Sequence, residues 1–295
     1  AQIAQVAPSR APVLIQGETG SGKEVVARLL HTRSRRAEGP CIAVNCGAVS
    51  RELLESELFG YEKGAFTGAA TAKPGLIAAA EGGSLFLDEI GEMPGPMQVG
   101  LLRFLDRNEY RPVGSTRTLR ADVRIICATN RDVQELVLQG RFRDDLLYRI
   151  NTVTLRVPPL RERPDDLPAL VDHILNSLRM PGAATRTLTT DSLQPLMTYG
   201  WPGNVRELRN VIERIVLMSL NTGPITREEV VQALPPSSGA PDSIDQTQLS
   251  LDEIERLHID RVLNASEGNK TRAAHTLRID YKTLLAKLKK YHLSS

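Results

Sequence analysis

Pro12-Val-Leu-Ile-Gln16 runs directly into Gly17-Glu18-Thr19-Gly20-Ser21-Gly22-Lys23-Glu24, and an amphipathic stretch from Lys23 to Arg33 follows at once. An apolar strand, a glycine-rich turn and a helix in that order form the setting of a phosphate-binding loop. Glycines let backbone N–H groups curl around an anion, the helix N-terminus favours negative charge, and Lys23 reaches the β/γ oxygens of a nucleotide. The general pattern places Ser or Thr after the lysine, where its hydroxyl binds Mg²⁺. This chain has Glu24 there. The same octapeptide also suits an ordinary glycine-rich turn, so the decision passes to its surroundings.

Working outward, short apolar β-branched runs recur at Cys41 to Asn45, Ser84 to Asp88, Val123 to Thr129 and Thr152 to Val157. Between them lie helical patterns at Arg51 to Leu58 and Pro96 to Leu105. Nearly all-apolar strands separated by helices predict a parallel sheet covered on both faces, an α/β domain. Ser84-Leu-Phe-Leu-Asp88-Glu89 delivers two carboxylates to a strand's C-terminal end, the edge where open α/β sheets bind ligands. Asp88 is placed to hold Mg²⁺ and Glu89 to polarise an attacking water, because phosphoryl transfer is chiefly positioning and charge neutralisation. Cys127-Ala-Thr129-Asn130 brings polar side chains to the same edge and suggests a γ-phosphate sensor. Arg143 and Arg149, six residues apart around an apolar helical pattern, are either arginine fingers or surface ion pairs with Asp144 and Asp145. Spacing leaves both readings open.

Beyond Pro158-Pro159 the strand signals stop. Asp165 to Leu178, Asp191 to Tyr199, Val205 to Leu220 and Thr226 to Leu234 read as helices, with Asp165, Asp191 and Thr226 as caps. Pro235-Pro236-Ser-Ser-Gly-Ala-Pro241 is a linker by composition. The expected organisation is an α/β part at 1–160, a helical part at 161–234, a linker at 235–250 and a helical tail at 251–295.

The charge distribution supports that division. The 295 residues carry a net charge of +2, yet residues 266–295 alone hold seven basic and two acidic groups, including five of the eight lysines. A basic tail on a faintly acidic body is the pattern of a nucleic-acid anchor attached to a differently employed domain. No apolar run approaches the roughly 20 residues of a membrane helix, which argues against a membrane protein. Cys41, Cys46 and Cys127 lack metal-ligand spacing and sit in apolar runs. They read as buried, reduced thiols of a cytoplasmic protein.

One further stretch is Glu57-Leu-Phe-Gly60-Tyr-Glu-Lys-Gly64-Ala65-Phe66-Thr67-Gly68-Ala69. Its glycines make a flexible tip too small to bury Phe66. Such a residue is either a loop anchor tucked into the core or an exposed aromatic that meets a partner. The segment Gly64 to Ala69 is the GAFTGA signature, and with it the chain resembles the AAA+ central domain of bacterial enhancer-binding proteins, the activators of sigma-54 RNA polymerase. Similar stretches are Gly17 to Glu24 (glutamate after the lysine is usual in that family), Asn45-Cys-Gly-Ala, Leu85 to Glu92, Ala128 to Arg131 and Phe142 to Arg149. Pro158-Pro-Leu-Arg-Glu-Arg163 and Tyr199-Gly-Trp-Pro-Gly-Asn-Val-Arg-Glu-Leu208 match as well. The resemblance covers residues 1 to about 234, and a Fis-type helix-turn-helix resemblance covers the tail.

The resemblance implies an AAA+ P-loop NTPase fold with a small helical lid and a C-terminal all-α DNA-binding domain. It also implies ATP and Mg²⁺ as ligands. Gly64, Ala65, Phe66, Thr67, Gly68 and Ala69 would form a loop moved by the ATPase cycle, with Phe66 and Thr67 touching sigma-54. Asn45 would hold Glu89 until that partner is engaged, Arg143 and Arg149 would be trans-acting fingers, and Arg206 would be the lid arginine that senses nucleotide. Trans fingers imply a homo-oligomer, from dimer to hexameric ring. The family's adenine-packing stretch begins before Ala1, so part of the base pocket is expected upstream. The implied activity is remodelling of the sigma-54 RNA polymerase closed complex. The alternative is an ATP-switched DNA-binding regulator or repressor on the same fold. A clamp-loader or helicase-type machine would leave the tail unexplained.

In the tail, Leu251 to Leu263 reads as an amphipathic helix with apolar Leu251, Ile254, Leu257, Ile259, Val262 and Leu263, a segment the family uses to dimerise. Lys270 to Leu277 and Tyr281 to Tyr291 then form two short helices around Arg278-Ile279-Asp280, a helix-turn-helix whose second helix enters the major groove of double-stranded DNA. Ala273 and Ala274 should pack inward, with Leu284, Leu285 and Leu288 on the second helix. Lys270, Thr271, Arg272, Tyr281, Lys282, Thr283, Lys287 and Lys290 are the candidate DNA contacts, the lysines mainly to phosphate. Arg278 replaces the family's usual turn glycine, and Asp280-Tyr281 a common Ser-Arg.

Overall fold

The computed structural model describes residues 2–48, 51–178, 186–219 and 223–235, and in the tail 255–256, 259, 262–263, 270–277 and 279–291, without the side chains of 51, 52, 275 and 289. It divides into two compact units, residues 1–235 and 236–295.

In the larger unit five strands pair in parallel: β1 (Val13–Gln16), β2 (Cys41–Asn45), β5 (Ser84–Asp88), β8 (Arg124–Thr129) and β9 (Val153–Arg156), in the order β2-β5-β8-β1-β9. Their boundaries fall within a residue of the apolar runs; in the inner strands β1, β5 and β8 two-sided burial demands that continuity, whereas the outer strands β2 and β9 are partly exposed. Every residue of β8 is buried. Alternate residues feed opposite faces. Leu14, Leu85, Leu87, Ile125 and Cys127 enter one core layer. Val13, Ile15, Phe86, Ile126, Ala128 and Leu155 enter the other. Arg124, also buried, donates to the carbonyls of Val6 and Ala7, which complete the end of the helix Gln2–Val6.

Two antiparallel ladders of two residues each lie outside this sheet: β3 (Gly60–Tyr61) with β4 (Lys73–Pro74), and β6 (Glu109–Tyr110) with β7 (Leu119–Arg120). Pieces so short carry no periodicity to be read from sequence.

Beyond β9, the helices Leu167–Ser177, Thr190–Thr198, Asn204–Met218 and Arg227–Ala233 pack around their own core, in which Trp201, Ile212 and Ile215 are buried. Thr226 caps its helix through a capping box with Glu229. The other two expected caps differ. Thr189 rather than Asp191 caps its helix, through Ser192. A 3-10 turn, Pro164–Asp166, occupies the start expected at Asp165.

In the smaller unit Lys270–Leu277 and Tyr281–Lys290 are helical, and Ile259, Leu263, Ala273, Ala274, Leu284 and Leu288 close a small core. Leu285, expected inside, is 40% exposed. Leu251, Ile254, Leu257 and Arg278 lie outside the described residues. No helix among the described residues is long and apolar enough to cross a membrane.

Candidate functional site

The parallel register brings the carboxyl ends of four strands to one edge: Gln16 pairs with Thr129, and Asn45 with Asp88. The loop 17–23 leaves β1 there, its first N–H (Gly17) donating to Thr129 O over 3.2 Å. Gly20 and Gly22 adopt φ of +76° and +103°, a conformation L side chains resist, so these two glycines are required by the turn. Lys23 Nζ lies 2.9 Å from Gly17 O and 3.0 Å from Glu18 O, folded back onto its own loop. Burial holds the Lys23 ammonium below the usual lysine range against the opposing pull of Asp88 and Glu89, while Arg206 lowers it further.

Asp88 ends β5 half-buried, and burial raises its carboxyl above the usual aspartate range, opposed by the Glu89 N–H that donates to Oδ1 over 3.0 Å and by Lys23. Glu89 has φ +53°, a left-handed backbone rare outside glycine and typical of residues held for a task. A Cβ placed on Gly47 would come 2.5 Å from Glu89 Oε2. The Glu89 carboxylate therefore lies over the turn that follows β2. Asn45 makes that turn: its Oδ1 accepts from the N–H groups of Gly47 (2.8 Å) and Ala48 (3.0 Å). Among the described residues no hydrogen bond joins Asn45 to Glu89.

Of the expected sensor pair, Asn130 reaches the phosphate loop, its Nδ2 donating to Thr19 Oγ1 over 2.9 Å. Thr129 does not. Its buried hydroxyl accepts from the Arg131 N–H (3.0 Å) and donates to Arg131 O (3.3 Å). Arg131 in turn pairs with Glu92, beside Gly47. Glu24 pairs with Arg28 on the exposed face of its helix, and its charge adds to the upward push on the Asp88 carboxyl. Glu18 is engaged from beyond the loop: both carboxylate oxygens meet Arg161 (2.6 and 2.9 Å), and Oε2 accepts from Asn204 as well.

Arg143 and Arg149 are both about half exposed, Arg143 forked onto Asp145 (2.6 and 2.9 Å) and Arg149 donating through Nε to Asp106 Oδ1. Such surface pairs are weak and yield readily to a better anion. Fully buried Gln98 fixes the start of their helix: its Oε1 accepts from the Arg143 N–H over 2.9 Å, and its Nε2 donates to Met93 O and Arg141 O. Gln98 and Asn204 escaped the sequence reading, since each acts on a segment more than 40 residues away.

The donor set fits a nucleoside triphosphate. Ser21 Oγ is buried without a partner, and the loop bends through two glycines at positive φ above an ammonium. For a divalent cation the edge offers hard carboxylate oxygens at Asp88 and Glu89.

The loop 62–69 stands on the β3–β4 ladder. Gly64 N–H donates to Ala69 O over 2.9 Å, and Gly64 and Gly68 have φ +82° and +103°. Phe66 is 46% exposed with its ring 5.0 Å from that of Tyr61, and Thr67 is exposed, whereas Ala69 is buried. The neighbouring hairpin supports it: Glu62 N–H donates to Val113 O, and Ala65 lies against Gly114. In the tail, Tyr281, Lys282, Thr283 and Lys290 are exposed, as are Thr271 and Arg272, with Lys270 half-buried. Lys287 is half-buried in an ion pair with Glu255, whose second oxygen accepts from Tyr291 OH over 2.6 Å. Cys41 also departs from expectation: it is exposed at the start of the edge strand β2, while Cys46 and Cys127 are buried.

Comparison with known proteins agrees with this arrangement. The Sigma-54 interaction domain matches residues 1–156, the AAA+ ATPase lid domain 161–246, and the Fis family of bacterial regulatory proteins 250–291. The regulatory protein AtoC of Escherichia coli (strain K12) is 45% identical over 98% of this chain and 64% of its own length. The transcriptional regulatory protein ZraR of Klebsiella oxytoca is 48% identical over 97% and 65%. The chain thus spans just under two thirds of these relatives. The crystal structure of NtrX from Brucella abortus in complex with ADP superposes with a TM-score of 0.72 at 33% identity, covering 99% of this chain and 67% of that one.

Proposed function

The chain belongs to the sigma-54-dependent family of AAA+ transcriptional regulators with a Fis-type helix-turn-helix, and from that membership we propose that it is an ATP-driven transcription activator of the bacterial cytoplasm. It binds upstream DNA through residues 251–295, assembles from dimers into a ring, and uses ATP hydrolysis to convert the sigma-54 polymerase closed complex to the open one.

In this reading Lys23 and the loop N–H groups hold the β- and γ-phosphates, and Asn130 senses the γ-phosphate beside Thr19. Glu89 takes a proton from the attacking water. Mg²⁺, held by Asp88, would neutralise charge on the transferred group. Arg206 contacts nucleotide from the lid, and Arg143 and Arg149 leave their surface carboxylates to complete a neighbouring subunit's site. Changes at Glu89 pass through the turn built by Asn45 to the loop 64–69.

The observation that carries the reading is the half-exposed Phe66 on a loop with glycines at positive φ at both ends, mounted on the same body as the nucleotide edge. A solvent-facing aromatic on such a tip is costly without a partner. The test is transcription with purified sigma-54 polymerase on a promoter bearing the protein's own upstream site. Open complexes that form only with hydrolysable ATP support the reading. ATP hydrolysis and DNA binding without open complexes favour a regulator that uses ATP only to switch its assembly.

A further inference from the structure

We propose that Arg161, Arg163 and Asn204 are positioning residues for the phosphate loop, and that Glu18 serves as the lid's handle on that loop rather than as a nucleotide contact. The inference rests on the ATPase reading above and assigns the lid a task beyond its nucleotide-sensing arginine.

Four consecutive loop residues are each held from the lid side. Glu18 is clasped by Arg161 and Asn204. Thr19 O accepts from Asn204 Nδ2 over 3.1 Å, Gly20 O from the Val205 N–H over 3.0 Å, and Ser21 O from Arg163 Nη2 over 2.6 Å. The contact at Gly20 is close enough that a Cβ there would meet Gly203 O at 2.4 Å. In a trans peptide the C=O of one residue and the N–H of the next point in opposite directions. Holding the carbonyls of Thr19, Gly20 and Ser21 toward the lid therefore aims the N–H groups of Gly20, Ser21 and Gly22 the other way. Those of Gly20 and Gly22 have no partner among the described residues. Pre-aimed N–H groups make an anion nest.

Asn204 is the joint. It is fully buried, with a left-handed φ of +54°. Its amide nitrogen serves Glu18 and Thr19, and its amide oxygen accepts from the Leu160 N–H over 2.8 Å. One side chain thus ties together the phosphate loop, the connector leaving β9 and the lid helix that carries Arg206. Glu18 could not serve a nucleotide from this position: its carboxylate is consumed by a guanidinium fork and an amide, and a free one would repel the polyphosphate.

The experiment uses the full chain and a fluorescent ADP analogue, with wild type compared to Glu18→Gln, Arg161→Gln, their double variant and Asn204→Gly, which keeps the left-handed backbone. Each single variant is expected to weaken ADP binding about tenfold, the usual effect of losing one charge-assisted hydrogen bond. The double variant should be no worse than the weaker single, because both changes open one clasp. KM for ATP should rise more than kcat falls, a split that a purely structural role does not give, while the near-isosteric Glu18→Gln lowers the melting temperature only slightly. Wild-type binding matched within twofold by Glu18→Gln and Arg161→Gln would overturn the inference and leave the site intact. Failure of the wild type itself to bind would remove the ATPase reading and this inference with it.

Discussion

The Glu89 carboxylate lies directly above Gly47, where a single added methyl group would come within 2.5 Å of Oε2. The turn after β2 thereby sets where the catalytic candidate at the end of β5 can sit, and glycine at its centre leaves the space that Glu89 fills. Gly47→Ala is expected to displace Glu89 and lower kcat on the order of 10²-fold, the usual penalty for misplacing a reacting group by about an ångström. Gly47 has an ordinary backbone, so melting should barely change. Steady-state ATPase beside a thermal melt checks this, and an unimpaired Gly47→Ala would show that Glu89 does not act from this position. Glu89→Ala should still bind ATP while turnover falls by roughly 10²–10⁴, the worth of a general base.

Acid should open the Glu18 clasp only at the far end of the scale. The Arg161 fork, then the Asn204 amide, hold the Glu18 carboxyl at about 2 against an ordinary 4.5. Its folded pKa is the lower, so its contribution is complete above about pH 4.5 and is lost as pH falls toward 2. The stability difference between wild type and Glu18→Gln is therefore expected to be flat from pH 7 to pH 5 and to shrink below. Urea melts across that range measure it. A difference that fades already between pH 7 and 6 would belong to another group.

The tail separates two lysines that look equivalent in sequence. Exposed Lys282 is free to meet phosphate, so Lys282→Ala should weaken DNA binding and reduce the log–log salt slope by about one. Lys287 is committed to Glu255, so Lys287→Ala should leave the slope unchanged and lower the melting temperature of the tail. Titrations of the protein's DNA site at several salt concentrations would read both, and a slope lost at Lys287 instead would reverse the assignment.

The three cysteines should differ in reactivity. Burial raises all three thiols, Cys46 to about 12 with added repulsion from Asp88 and Glu89, but only Cys41 is exposed. The thiolate is the reactive form. One thiol per native chain should react with a disulfide reagent, more slowly than free cysteine, and three after denaturation. Rapid native labelling of Cys46 would contradict the packing behind β2.

The inner strands were readable in the chain because burial on both faces leaves little but apolar residues to choose from, and β5 was read to the residue. The nucleotide edge was readable for a related reason: glycine, lysine and adjacent carboxylates at strand ends are required by the backbone and by charge. What stayed hidden depends on contacts far apart in sequence. Nothing near Glu18 tells that Arg161 will take its carboxylate, and nothing near Asn204 marks it as a joint. Leu285 was misplaced because a helix of ten residues shows which side chains share a face, not which face finds solvent, and the pairing of Lys287 with Glu255 stayed hidden for the same reason.

The central claim is that the nucleotide edge drives a loop whose working residue is Phe66, and the most direct measurement is capture of sigma-54 by the full chain loaded with ADP and an aluminium fluoride transition-state analogue. Wild type should retain sigma-54 with the analogue and not with ADP alone, while Phe66→Ala hydrolyses ATP at a near-normal rate and retains none. Undiminished capture by Phe66→Ala would contradict the account.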